Sequence, residues 1–212
     1  AGSDDGLLHV TRDGGETWAK ISDNLPQNLW VSRVQASAHE HARVYVSLDG
    51  YRWDDFAAYL YVSNDYGKNW ERIGLGLPAE PVNVVREDPA NPDILYVGTD
   101  HNVYVSLDRG KTFQTLNTDF PDCPVHDLVI QPKAKDLVIG THGRSMFKVG
   151  IANVQQLTGE VVASTVYLFE IEKRKFNKNW GKKQPYKEVK SPELPVWFYA
   201  NAAGKAIWTV KA

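Results

Sequence analysis

VTRDGGETW (residues 10–18) returns as VSNDYGKNW (62–70) and again as VSLDRGKTF (105–113). Its Asp marks the repeat: Asp13, Asp65 and Asp108 are spaced 52 and 43 residues apart, the period of one small sheet of a propeller or one unit of a solenoid. The flanks recur as well. Ahead of each turn lies an alternating run, LLHVT (7–11), YLYVS (59–63) and NVYVS (102–106), and after it TWAKIS, NWERIG or TFQTLN. Alternation of period two on both sides of a Gly-containing turn reads as paired strands. Further upstream, RVYVSLDG (43–50), ILYVGTD (94–100) and DLVIGTHG (136–143) form a second matching set, and WVSRVQAS (30–37), PVNVVRED (81–88) and PVHDLVIQ (124–131) a third. Each repeat therefore has four strands, named a, b, c and d in chain order. The opening residues supply c and d only, two full repeats follow, and the last has a, b and the strand SMFKVG without a turn signature of its own.

The turn can be built from its residues. Asp13, Asp65 and Asp108 accept hydrogen bonds from backbone N–H groups of their own turns. Gly15, Gly67 and Gly110 supply the positive φ that side chains resist. Thr11, Ser63 and Ser106 set a hydroxyl beside the Asp, and Trp18, Trp70 and Phe113 lay a ring over the hairpin. A turn that pairs its own polar groups can be reused in any repeat, so these residues read as structural. The three carboxylates lie in separate repeats with few acidic neighbours, so no metal is expected on them.

Composition narrows the remaining classes. The chain has 212 residues, 42% hydrophobic, enough for a buried core. A net charge of -2 provides no field for nucleic acid or an anionic membrane. Seven Trp and ten Tyr suit β-rich cores and sugar-binding clefts alike. One cysteine, Cys123, excludes an internal disulfide framework. No apolar run approaches the roughly 18 residues of a membrane span. No cofactor signature is present, and nothing matches a nucleophile elbow, zinc motif or phosphate loop.

The pattern Ser/Thr-x-Asp-x-Gly-x-x-Trp/Phe resembles the Asp-box, or BNR repeat, of sialidases, xyloglucanase-type glycoside hydrolases and sortilin-type receptors. Longer segments, YVSLDGYRWDDFAAYLYVSNDYGKNW, PVNVVREDPANPDILYVGTD and PVHDLVIQPKAKDLVIGTHGRSMF, resemble the closing blades of bacterial sortilin N-terminal-like or glycosyl-hydrolase BNR-repeat proteins. The resemblance covers about residues 1–150. It implies an all-β, partial β-propeller of four-stranded antiparallel blades, two complete and two incomplete, with the Asp-boxes at the c–d hairpins. It also implies a secreted protein, extracellular or periplasmic, whose remaining blades belong to the same parent polypeptide. Residues 151–165 are the best helical candidate, within a linker over 151–192. The basic run KRKFNKNWGKK there reads as solvated rather than nucleic-acid binding. Residues 193–212 look like the truncated opening hairpin of a further β-module.

In a meander the c–d turns lie at one end of the blade and the b–c loops at the other. The functional rim is therefore expected opposite the Asp-boxes, on the b–c loops at 3–6, 49–58, 99–102 and 141–145. These place Asp4, Asp49, Asp100 and His142 at equivalent positions, with Ser32, Asn83 and His126 at the starts of the inner strands. Candidate ligand-binding residues are Arg52, Trp53, Asp100, His101, His126, His142 and Arg144, with Tyr51 and Phe56 available for stacking. The expected ligand is a glycan or an extended peptide. The alternative is a glycoside hydrolase using two carboxyl groups across a sugar bond, with Asp54 and Asp55 in the longest insertion as the catalytic candidates.

Overall fold

The computed structural model describes residues 1–116, 119–171, 178, 182, 195–203 and 205. It divides into two compact units, Ala1–Thr158 and Gly159–Ala212.

The first unit is a row of antiparallel sheets in chain order. β1 (His9–Val10) and β2 (Ala19–Lys20) form the first. β3 (Trp30–Ala36), β4 (Val44–Gly50), β5 (Asp55–Ser63) and β6 (Glu71–Ile73) form the second, and β7 (Val82–Glu87), β8 (Leu95–Thr99), β9 (Val103–Ser106) and β10 (Gln114–Thr115) the third. β11 (Val125–Gln131), β12 (Asp136–Thr141) and β13 (Met146–Gly150) form the fourth. Each is an a–b–c–d meander, truncated to c–d in the first and a–b–c in the fourth. These are the two complete and two incomplete blades of a partial propeller.

The strands of the middle blades bury apolar residues on both faces, so every seam between blades is a hydrophobic layer. Leu8, Leu29, Val46 and Leu48 fill the first seam, Tyr45, Leu60, Val82, Val85 and Val97 the second, and Val84, Tyr96, Val125, Leu128 and Ile139 the third. Burial of such layers, at about 25 cal/mol per Å² of apolar surface, holds one blade against the next.

The repeated turns are built alike. Asp13 Oδ1 accepts the Thr17 N–H at 2.9 Å and the Thr11 hydroxyl at 2.8 Å, while Thr11 Oγ1 accepts the Gly15 N–H at 2.8 Å. Asp65 and Asp108 repeat all three bonds. The residue before each ring closes the second carboxylate oxygen through its side chain: Thr17, Asn69 and Thr112 donate to Oδ2 at 2.5, 2.6 and 2.6 Å. The turns also reach the preceding blade. Gly67 (φ +83°) and Gly110 (φ +87°) lie against Ile21 and Ile73, so close that a Cβ would come within 2.5 and 2.7 Å of a methyl carbon. Trp70 donates its indole N–H to Ile21 O at 2.7 Å.

These carboxylates are held charged. Hydrogen bonds from Asn69 and Ser63 draw Asp65 down from its ordinary 3.8 to about 2, and those from Thr17 and Thr11 draw Asp13 lower still. At Asp108 burial opposes the charge, but bonds from Thr112 and Ser106 outweigh it. Because the folded-state values are depressed, the stability they contribute is present above about pH 4 and lost as pH falls toward 2. Replacing all three by Asn should flatten that acid limb in thermal melts at pH 4, 3 and 2. An unchanged slope would show that other carboxylates control acid unfolding.

Two polar features accompany the inner strands. Ladder register slips between Val31 and Arg33, between Val82 and Val84, and between Val125 and Asp127, leaving Ser32, Asn83 and His126 as equivalent β-bulges. Beyond the bulges, Asp127 Oδ1 of β11 receives Arg33 of β3 at 2.9 Å and Arg86 of β7 at 3.0 Å. Arg86 also donates to Leu128 O at 2.6 Å and Gln35 Oε1 at 2.7 Å. The inner strands of three successive blades are thus tied by one carboxylate.

Where a helix is expected over 151–165, the chain makes a 3-10 turn at Val154–Gln156, leaves helical geometry at Leu157 (ψ 75°), and begins α1 (Gly159–Ala163). In the second unit β14 (Val166–Leu168) pairs with β15 (Phe198–Ala200), and Tyr199 donates its hydroxyl to Val162 O at 3.0 Å. The run KRKFNKNWGKK, apart from residues 178 and 182, and the far half of the hairpin expected at 193–212 lie outside the described residues.

Candidate functional site

The bulges stand at the starts of the inner strands, where their side chains meet the b–c end of their own blades. In blade 3, Asn83 donates its amide to Asp100 Oδ1 at 2.9 Å. In blade 4, the His126 and His142 rings meet at a centroid distance of 5.4 Å. In blade 2, Ser32 hydroxyl contacts Ser47 Oγ at 2.8 Å and donates to Val82 O at 2.6 Å, locking the seam to blade 3. Asp49 is half-buried and accepts the Tyr51 N–H at 2.8 Å. Burial pushes its carboxyl above the ordinary range and the charge of Asp100 adds to the push, while Arg52 and His126 oppose it. Asp49, Asp100, Arg52 and His126 therefore share one electrostatic environment spanning blades 2 to 4.

The long insertion of blade 2 is a single 3-10 turn, Tyr51–Trp53, capped by Asp54 at φ +57°. Arg52 stacks on Trp30 with its guanidinium carbon 3.8 Å from the ring centroid, a cation–π contact that fixes it over the rim. Tyr51, Trp53 and Phe56 are left 46%, 53% and 50% exposed. Asp55 is engaged within its own loop: Oδ2 accepts the Tyr59 hydroxyl at 2.7 Å and Oδ1 the Ala57 N–H at 3.1 Å. Asp54 is exposed.

His101 faces a different partner. Its Nδ1 lies 2.6 Å from Glu80 Oε2, and Tyr104 donates to Glu80 Oε1 at 3.2 Å. Glu80 is buried, and its hydrogen bond holds the His101 imidazole above its ordinary value. Burial, then the Glu80 charge, pushes Tyr104 up to about 12. Arg144 is exposed in the turn after His142, where Gly143 (φ +81°) and Ser145 (φ +75°) reverse the chain. In blade 1 the turn acceptor is Asp5, bonded to Ser3 Oγ and the Leu7 N–H, while Asp4 is exposed.

Glu80, Trp30 and the Arg33–Arg86–Asp127 tie are the residues that motif reading passes over. Glu80 sits between two prolines in an unpatterned connection, and its only signal is a charged residue just ahead of a strand. Among the described residues no group of three or more His, Cys, Asp or Glu is arranged to hold a metal ion.

The family model for sortilin, neurotensin receptor 3 (sortilin-Vps10) matches residues 58–188. Among solved structures, the GH74 xyloglucanase from Xanthomonas campestris superposes with a TM-score of 0.56 at 14% identity, over 81% of this chain and 30% of that one. An ancestral GH74 enzyme gives 0.50 at 20% identity, over 64% and 19%. At such identities the likeness is one of fold. This chain spans less than a third of either enzyme's length. A comparison with curated proteins finds no match. With the family model covering more than half of its residues and its sheets built as successive propeller blades, the chain belongs to the sortilin-Vps10 family.

Proposed function

We propose that this chain is part of a secreted propeller protein that binds a glycan or an extended peptide on the rim opposite its repeated turns. The observation that carries this reading is that three aromatic side chains of one insertion, Tyr51, Trp53 and Phe56, are each left about half exposed. Large rings held in water beside fixed polar groups mark a binding surface. Asp49, which accepts the Tyr51 N–H, and Arg52, stacked on Trp30, flank the same insertion, and Asp100 acts on Asp49 through its charge; together they supply acceptors and a planar donor for hydroxyl, amide or charged groups. Both ligand classes present flat apolar faces with hydrogen-bonding edges, and exposed rings among such groups are complementary to that pattern.

The test is a glycan array and a peptide library probed with the intact chain, followed by titration of the best ligand. Trp53→Ala should weaken binding at least about tenfold, the loss of a buried aromatic anchor. Asp100→Asn should weaken it by a smaller factor. Absence of any ligand in both libraries, or equal affinity for Trp53→Ala, would sink the reading.

A hydrolase reading has one observation in its favour: burial, with the charge of Asp100 adding to it, raises the Asp49 carboxyl, as a general acid requires. Asp55 is tied to Tyr59, so in this reading Asp49 and Asp100 carry the chemistry in place of Asp54 and Asp55. If a polysaccharide is cut, Asp49→Asn should abolish turnover, while replacing both Asp54 and Asp55 by Asn should leave most of it.

A further inference from the structure

The residue at the head of strand b differs from blade to blade. In blade 3 it is Ile94, fully buried, and in blade 4 Asp136, which pairs with Lys148 at 2.9 Å. In blade 2 it is Arg43, which forms no ion pair among the described residues. The turn of the next blade departs from the repeat beside it: blade 3 carries Arg109 where blade 2 carries Tyr66, both in left-handed backbone (φ +61° and +63°). Arg43, Arg109 and Lys111 line one cavity of about 430 Å³ at the seam of blades 2 and 3, on the end of the repeated turns. The buried Tyr45 and Val62 form its apolar lining.

The cations are held but not neutralised. Arg43 is anchored through Nε, which donates to Asn64 Oδ1 at 2.7 Å, while its Nη1 is buried with no hydrogen-bond partner among the described residues. Its charge reaches Tyr45 in the cavity lining, where it opposes the upward push that burial and then Glu87 exert on the hydroxyl. Arg109 is held in the same way, through Nε on Asp93 Oδ1 at 2.6 Å. Lys111 forms no ion pair among the described residues. Glu40 and Glu71 also line the cavity, yet among the described residues neither comes within ion-pair distance of a cation. A buried donor left unpaired costs about 1–3 kcal/mol, and more when it is charged. A guanidinium recovers that cost best on an oxyanion, which accepts several N–H bonds at once.

We propose that this cavity is an oxyanion site that takes a phosphate or sulfate group, with Arg43 and Arg109 donating from their Nη groups and Lys111 adding a third cation. Glu40 and Glu71 oppose the same charge, so removing either carboxylate tightens the site. The site stands apart from the rim, and either can exist without the other.

The test is isothermal titration of the intact chain with inorganic phosphate and, separately, inorganic sulfate at neutral pH, with ionic strength held constant by sodium chloride. Saturable binding of at least one of the two anions is expected, and the ratio of their affinities tells which group the site prefers. Arg43→Gln and Lys111→Gln should each weaken it at least about tenfold, the loss of one charge-assisted bond. Glu40→Gln should tighten it by about twofold or more, the size of an exposed charge pair. Lys68→Gln removes the same charge from the equivalent turn position of blade 2, outside the cavity, and should change affinity by less than about twofold in screening salt. Lys111 is exposed, so its variant keeps the test open even where Arg43→Gln lowers the melting temperature. Absence of saturable binding by either anion overturns the proposal. So does equal weakening in Lys68→Gln and Lys111→Gln, which would report general attraction to the chain's cations and not a site.

Discussion

Asp88→Ala is expected to lower the stability of the first unit by about 3–4 kcal/mol, one of the two largest losses predicted for any single position. Asp88 is fully buried just past the end of β7, and among the described residues its carboxylate forms no ion pair. Five hydrogen bonds hold it instead. Oδ1 accepts the N–H groups of Ala90 at 2.8 Å and Asn91 at 3.1 Å, Oδ2 accepts the Tyr96 hydroxyl at 3.2 Å, and Gln155 donates to both oxygens at 3.1 and 3.0 Å. Bonds to a charged acceptor are worth more than neutral ones, and truncation strands the Tyr96 hydroxyl in the core. Tyr96 is already pushed above the ordinary phenol value, first by burial and then by the Asp88 charge. Asp88→Asn keeps the shape and should lose only about 1–2 kcal/mol. At about 2–4 °C per kcal/mol for a unit of this size, Asp88→Ala should melt roughly 10 °C lower, and Asp88→Asn by a third to a half of that. Equal melting of both variants would mean that packing, and not the carboxylate's bonds, anchors this corner.

Much of this architecture is legible in the sequence because repetition exposes it. Period-two alternation and a recurring nine-residue turn fix the strands, their pairing and the sheet count, since these depend on local residue types. The turn's Asp, hydroxyl and Gly could be placed for the same reason. What local pattern misses are contacts between repeats. Gly67 and Gly110 read as positive-φ residues, yet each also makes room for an isoleucine of the preceding blade. Trp70 reads as a lid for its own hairpin, yet its indole bonds Ile21 O in that blade. Topology alone assigns Asp49, Asp100, His126 and His142 to the b–c ends of their blades, and it reaches no finer than the loop. The bulges at Ser32, Asn83 and His126, which aim those side chains, leave no residue signature because Ser, Asn and His share no conformational preference. Asp55 stands out in the sequence for its position in a long loop, whereas its bond to Tyr59 depends on a side chain four residues along the same strand. Glu87 shows the limit: its partners Ser37 and Tyr45 lie in the preceding blade, fifty and forty-two positions away.

The glycines of strand b allow this dependence on neighbours to be measured. Gly98→Val is expected to destabilise by about 3–5 kcal/mol, whereas Gly140→Ala should be neutral or stabilising by about 0.5 kcal/mol. The two occupy equivalent places in YVGTD and VIGTHG, and neither has positive φ, so backbone strain does not distinguish them. Surroundings do. A Cβ at Gly98 would lie 2.5 Å from Val125 Cγ1 and 2.7 Å from Val84 Cγ1, two valines that are themselves fully buried in β-strands. Neither neighbour can yield without opening the seam between blades 3 and 4, and valine adds two further methyls to the clash. At Gly140 the nearest atom to a Cβ is Asp127 O at 3.5 Å, an ordinary contact. There alanine merely removes backbone freedom from the unfolded chain. Urea unfolding of the two variants against the parent separates the cases, with the Gly98→Val midpoint falling and the Gly140→Ala midpoint holding or rising. In a longer polypeptide where another blade covers β12, Gly140 acquires the neighbours that Gly98 has, and the same alanine should turn destabilising. A change of sign between short and long chains would therefore report the docking of that blade directly, and an unchanged small effect in both would show that the face stays open.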